Sequence, residues 1–110
     1  MAKKTTRTKT KGKAEARWDS DDTTALARAF LSMRYSREMK AFLRDLLTES
    51  EIIEFAKRFR AARSLAKSIH YTAIEEDTGL SSRTIARVKK WFKHGHGGYR
   101  LAIKRYKQQV

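Results

Sequence analysis

Between Ser81 and Lys93 the chain reads Ser-Ser-Arg-Thr-Ile-Ala-Arg-Val-Lys-Lys-Trp-Phe-Lys. Ile85, Val88 and Phe92 recur at helical spacing, so a helix here buries those three and turns Ser82, Arg83, Ala86, Lys89, Lys90 and Lys93 outward. That outer face is small and polar in its first turns and cationic beyond. Hydroxyls, a methyl and a guanidinium can read base edges in a groove, while arginine and lysine suit phosphate oxygens. The chemistry on offer is recognition of a polyanion. The bland alternative is an ordinary helical hairpin with a solvated basic face.

No catalytic constellation accompanies these residues. Cysteine is absent, which excludes disulfides and cysteine-based zinc sites and fits a reducing compartment. The three histidines fall in or beside expected loops, and most acidic residues fall where helix caps are expected. His94 and His96 stand one residue apart in His-Gly-His-Gly-Gly, but without cysteine or a following carboxylate this is expected to be a linker. Neither an enzymatic activity nor a metal or cofactor is expected.

The elements that must position the basic face come from the stretch just before it. Thr72 and Glu75 have the spacing of a capping box and are expected to open a short helix with Ile74 and the Thr78 methyl inward. Gly79 follows where the chain must turn sharply, since a residue without Cβ enters the left-handed region at little cost. Leu80 then returns to the core and Ser81 caps the next helix. Residues 71–93 thus read as two helices folded about Gly79, the pattern of a helix-turn-helix.

The chain has 110 residues, 40% of them hydrophobic, with no proline, five glycines and no alternating β-branched runs, which predicts an all-α fold. No apolar stretch approaches the ~18 residues of a membrane span, and the N-terminus lacks a secretory apolar segment, so a cytoplasmic, nucleoid-associated protein is expected. The net charge of +14 draws polyanions, nucleic acid or an anionic membrane. Its placement sharpens the choice. All twelve acidic residues lie at or before Asp77, and nine Lys and Arg follow with no acid among them. Residues 1–17 carry seven Lys and Arg, one Glu and almost nothing apolar, and are expected to be a disordered tail, either a basic arm along phosphates or a solubilising extension.

Residues 18–108 are expected to form one helical domain. Asp19, Asp21 and Asp22 open a first helix that buries Leu26, Ala29, Phe30 and Met33; Ser36 opens a second with Met39, Phe42, Leu43, Leu46 and Leu47 on one face. Thr48 and Glu51 form a capping box for the longest helix, roughly 49–68. Its stripe of Ile52, Ile53, Phe55, Ala56, Phe59, Ala62, Leu65, Ala66 and Ile69 is too broad for one neighbour and easiest to bury across a subunit boundary. A final helix after Gly98 turns Tyr99, Ala102, Ile103 and Tyr106 inward.

From Leu46 to Tyr106 the chain resembles the Trp repressor superfamily. The residues that carry the likeness are Leu46-Leu47-Thr48 with Glu51, Arg58, Thr78-Gly79-Leu80-Ser81, and Thr84-Ile85-Ala86-Arg87-Val88-Lys89, with Gly95, Gly98 and Tyr99 matching relatives that end in a Gly-rich loop. The resemblance implies an all-helical, interlocked homodimer whose reading heads enter successive major grooves of a palindromic operator on double-stranded DNA. It places base and phosphate contacts at Thr72, Glu75, Ser82, Arg83 and Ala86; with the basic face, the full set expected at DNA is Thr72, Ser81, Ser82, Arg83, Ala86, Arg87, Lys89, Lys90 and Lys93. Glu75 departs from the pattern, since a carboxylate cannot hold phosphate, and Arg83 stands where a small residue is usual.

At the family's co-repressor pocket, Thr48, Arg58 and Arg87 match, whereas Val88 and Trp91 replace the small residues that let a ring approach the helix backbone. Trp91 is expected either to fill that space, leaving a constitutively set head, or to be ordinary core. L-tryptophan is not expected as effector, and the sequence names no other. The expected function is a sequence-specific transcriptional regulator, a repressor. The alternatives are a non-sequence-specific nucleoid or RNA-binding protein and a basic helical protein-interaction module.

Overall fold

The computed structural model describes residues 16–109. Among them are six helices and no strand: α1 (Asp21–Ser32), α2 (Ser36–Leu46), α3 (Glu49–Ala66), α4 (Tyr71–Thr78), α5 (Ser82–His94) and α6 (Gly98–Gln109). The all-α expectation holds. The basic tail expected over 1–17 lies outside the described residues apart from Ala16 and Arg17. The chain divides into two compact units, one ending at Leu43 and the other beginning at Arg44.

In the first unit Ser20 caps α1, its Oγ accepting the Thr23 N–H at 3.3 Å, and Asp21 and Asp22 occupy the first turn, where carboxylates complement the helix dipole. Asp19 stands before the helix. The Glu38 carboxylate accepts the Arg34 N–H at 2.8 Å and fastens the start of α2. Phe30 meets Phe42 edge to face, 5.7 Å between centroids. The burial expected here is only partly found. Ala29, Met33, Met39, Phe42 and Leu43 are half-buried, but Leu26, Phe30 and, at the end of α2, Leu46 are exposed, and neither helix has a buried residue. Beyond this ring pair the two helices pack little against each other, which leaves much of each apolar stripe uncovered.

The second unit holds the core. Thr48 caps α3 as expected: the Glu51 N–H donates to Thr48 Oγ1 at 3.1 Å, and the Thr48 N–H donates to the Glu51 carboxylate at 2.9 Å. In its C-terminal half, Ala61 and Ala62 are completely buried against Ile74, Leu80, Ile85, Val88 and Ile103, with Phe59, Leu65, Ala66, Phe92 and Tyr99 packed around them. Small side chains at 61 and 62 let neighbouring helices pack close to α3. Ile74 and Ile85 are the largest fully buried side chains, each worth about 2–3 kcal/mol of transfer free energy.

Arg63 ties α3 to α6. Its guanidinium lies over the rings of Phe59 (5.2 Å) and Tyr106 (4.9 Å) and donates to the Tyr106 hydroxyl at 3.3 Å. One expectation fails in this unit. Ala102 faces solvent, one position from the buried Ile103. The far side of the α3 stripe, Ile53 and Phe55 foremost, is about half exposed, because α4, α5 and α6 cover only one side of the helix. Between α5 and α6 the chain passes Gly95, where a Cβ would sit 2.4 Å from the Trp91 carbonyl oxygen, so only glycine permits the approach.

Candidate nucleic-acid interface

The short helix α4 begins differently from the sequence expectation. Its cap is His70, whose Nδ1 accepts the Thr72 N–H at 3.2 Å; Thr72 is the second helical residue and no Thr72–Glu75 capping box forms. The imidazole reaches the orphan amide first, so the Thr-x-x-Glu spacing goes unused. Ile74 and Thr78 point inward as expected. Thr78 is buried yet satisfied: its Oγ1 donates to the Ile74 carbonyl at 2.7 Å and accepts the Leu80 N–H at 3.1 Å. Gly79 ends the helix at φ 76°, in the left-handed region.

Ser81 then caps α5, its Oγ accepting the Thr84 N–H at 3.1 Å. Burial of Ile85 and Val88, with Phe92 half-buried, fixes the helix's rotation about its axis. As a result Ser82, Arg83, Ala86, Arg87, Lys89, Lys90 and Lys93 are all exposed, as are Thr72 and Ser81. Glu75 is half-buried.

The electrostatics of this face follow from where the acids are spent. Among the described residues the ion pairs are Arg44 with Glu49, Arg58 with Glu54, and Arg60 with Asp77. None involves a basic residue of α5. Five cations therefore leave one helix without counter-charge, and their field extends into solvent. Lys90 Nζ also lies 5.8 Å from the Trp91 ring centroid.

The residues matched to an effector pocket are less unified. Thr48 spends its side chain on the cap of α3 and stands ten residues, about 15 Å along the helix, from Arg58, so within one chain the two do not meet. Arg58 donates to Glu54 at 3.1 Å and lies over the Phe55 ring. It is near Tyr99, whose hydroxyl is pushed above its ordinary pKa by burial, an effect the Arg58 charge partly opposes. Arg87 is exposed on α5 and Val88 is core. Trp91 is not core: it is 46% exposed, its indole stacked on His96 with centroids 6.1 Å apart.

Three features carried no usable signal in the sequence. The Arg60–Asp77 pair joins residues seventeen apart, a separation that no local pattern marks. The His70 cap was hidden by a better-known pattern two residues on. A cleft of about 650 Å³ lies between the end of α3, the start of α4 and the C-terminal half of α5, and it depends on how three elements converge. No cluster of metal-ligating side chains exists among the described residues, and none of their helices is long and apolar enough to cross a membrane.

Comparison with known proteins agrees with this architecture. A family model described as Trp repressor protein matches residues 21–107. The uncharacterized protein YerC of Bacillus subtilis is 37% identical over 83 residues, spanning 76% of this chain and 80% of the relative. The crystal structure of a TrpR-like protein from Eubacterium eligens superposes with a TM-score of 0.78 at 31% identity, covering 83% of this chain and 94% of that one. With the family model spanning most of its length, and a helical fold to match, the chain belongs to the Trp repressor family.

Proposed function

We propose that the chain is a sequence-specific DNA-binding transcriptional regulator, a repressor, that binds a two-fold symmetric operator as a homodimer. The observation that carries this reading is the seating of α5. Ile85 and Val88 are buried while every polar and cationic side chain of its outer face is exposed and free of acidic partners among the described residues. Docked in a major groove, such a helix sets Ser82, Arg83 and Ala86 against base edges. Thr72, Ser81, Arg87, Lys89, Lys90 and Lys93 then serve the flanking phosphates. Arg83 is long enough to meet guanine O6 and N7 in a bidentate contact.

The homodimer rests on apolar surface that a lone chain leaves in water: Ile53 and Phe55 on α3, and Leu26, Phe30 and Leu31 on α1. Exposed apolar side chains of that size fit a subunit boundary. Selection from a random oligonucleotide pool with the purified protein tests dimer and specificity together. The expected result is a two-fold symmetric consensus preferred over random duplex by at least ~10³. A protein that binds all duplexes alike, with one steep salt dependence, is instead a non-specific nucleoid-type or RNA-binding protein, the reading that the +14 net charge alone favours. L-tryptophan is not the effector in this proposal, because Val88 and Trp91 stand at the positions where the family's pocket needs small residues; saturable micromolar binding of tryptophan by calorimetry overturns that part.

A further inference from the structure

The cleft of about 650 Å³ beside α5 falls within the range of small-molecule sites and differs in place from the residues matched to an effector pocket. Its apolar surface comes from Leu65, Ile69 and Phe92, and Lys89 and Lys93 stand on its α5 side. These lysines are four residues apart, so they are neighbours on one helix face. Neither has an ion-pair partner among the described residues, and no acidic side chain lines the cleft.

The opposite wall is a built turn. After α3 the Ser68 N–H donates to the Leu65 carbonyl at 2.9 Å and the Ile69 N–H to the Ser64 carbonyl at 3.1 Å. Ser68 is held at φ 61°, the one non-glycine residue at positive φ among the described residues. A serine there is strained, the two bonds hold it in place, and the reversal sets Ile69 on the wall. Two unneutralised ammonium groups beside an apolar wall specify an amphiphilic anion.

We propose that this cleft binds a small anion whose phosphate or carboxylate head meets Lys89 and Lys93 and whose aromatic or branched apolar body lies on Ile69, Leu65 and Phe92. The same two lysines serve DNA phosphates in the proposed function, so an occupied cleft takes them from the duplex and weakens operator binding. Only this regulatory half rests on the DNA-binding reading.

Titration of the full-length protein with phenyl phosphate and with inorganic phosphate at fixed ionic strength, followed by calorimetry and backbone amide shifts, tests the site without DNA. Phenyl phosphate is expected to bind once per chain and at least ten-fold more tightly than inorganic phosphate, with shifts centred on Ile69, Lys89, Phe92 and Lys93. The double variant K89A/K93A should lose at least ten-fold in affinity. I69A should narrow the preference for the phenyl compound while leaving inorganic phosphate unchanged. Equal affinity for the two anions, or full retention in K89A/K93A, overturns the site. In a second arm phenyl phosphate should release a selected operator at a concentration where inorganic phosphate does not; equal release by both overturns the coupling. Failure to select any operator counts against the DNA reading alone, since the first arm decides the cleft independently.

Discussion

Arg60 and Asp77 form a two-pronged ion pair that fastens the last turn of α4 to the middle of α3. The guanidinium Nε donates to one carboxylate oxygen at 2.9 Å and a terminal nitrogen donates to the other. Asp77 is the last acidic residue of the chain, so its pairing within the scaffold spends the acid nearest in sequence to the basic residues of α5. Both side chains are about half exposed, which keeps the pair's contribution to stability near 0.5–1 kcal/mol despite the bidentate geometry. Asp77→Ala and Arg60→Ala should each lower the unfolding free energy measured by urea titration by about that amount. A double-mutant cycle should show coupling that shrinks in 1 M salt; additive single effects refute the pairing.

Gly79 presents a case where backbone conformation alone sets the cost. Its φ of 76° suits glycine, yet the space around a built Cβ is open, the nearest atom being Lys57 Nζ at 4.0 Å. Gly79→Ala should therefore cost about 1–2 kcal/mol through the left-handed conformation rather than through a clash. Gly79→Asn should cost less, because asparagine tolerates that region better. Thermal melts of the three proteins check the order. If Asn is as damaging as Ala, the turn is limited by something other than φ.

Local chemistry explains which parts of this molecule could be read in advance. The Thr48–Glu51 box, the Ser81 cap and the left-handed Gly79 each depend on residues within four positions, and all three form as expected. The exposed face of α5 was legible for the same reason, since Ile85 and Val88 at helical spacing fix what lies opposite. The Thr72–Glu75 box failed because His70, with an acceptor nitrogen of its own, lay two residues upstream. Burial of Leu26 and Phe30 failed for a different reason. Periodicity shows that a face is apolar, not which element covers it, and within one chain little does. The cleft beside Lys89 and Lys93 needs three elements to converge, a relation absent from any window of sequence.

On α5, position along the outer face separates two kinds of contact. Arg83, in the first turn, is proposed to read a base; Lys90, two turns further on, a phosphate. Arg83→Ala should cost about 1–3 kcal/mol against the selected operator and relax preference at one base pair per half-site. Lys90→Ala should weaken all duplexes alike and reduce the slope of log K against log salt by about one. Anisotropy titrations on the operator and on single-base variants distinguish them. Identical behaviour of the two variants means that α5 makes no base contact.

Tyr99 supplies a pH test of the packing between α6 and the rest of its unit. Burial disfavours the phenolate and raises the hydroxyl above its ordinary value, and the nearby Arg58 charge opposes this without cancelling it. A folded chain therefore keeps the Tyr99 proton at a pH where the unfolded chain, titrating near 10, has begun to lose it. Below that pH the contribution of Tyr99 to stability is fully present. Above it the unfolded state binds fewer protons than the folded one, so stability falls as pH rises until the folded group also ionises, with a slope of at most about 1.4 kcal/mol per pH unit. Tyr99→Phe removes that proton and should remove the alkaline loss. Urea unfolding of both proteins between pH 8 and about 11.5 should show a stability gap that is constant at the lower end and shifts in favour of Tyr99→Phe above about pH 10. A gap independent of pH across that range shows that the hydroxyl is solvated in the folded chain.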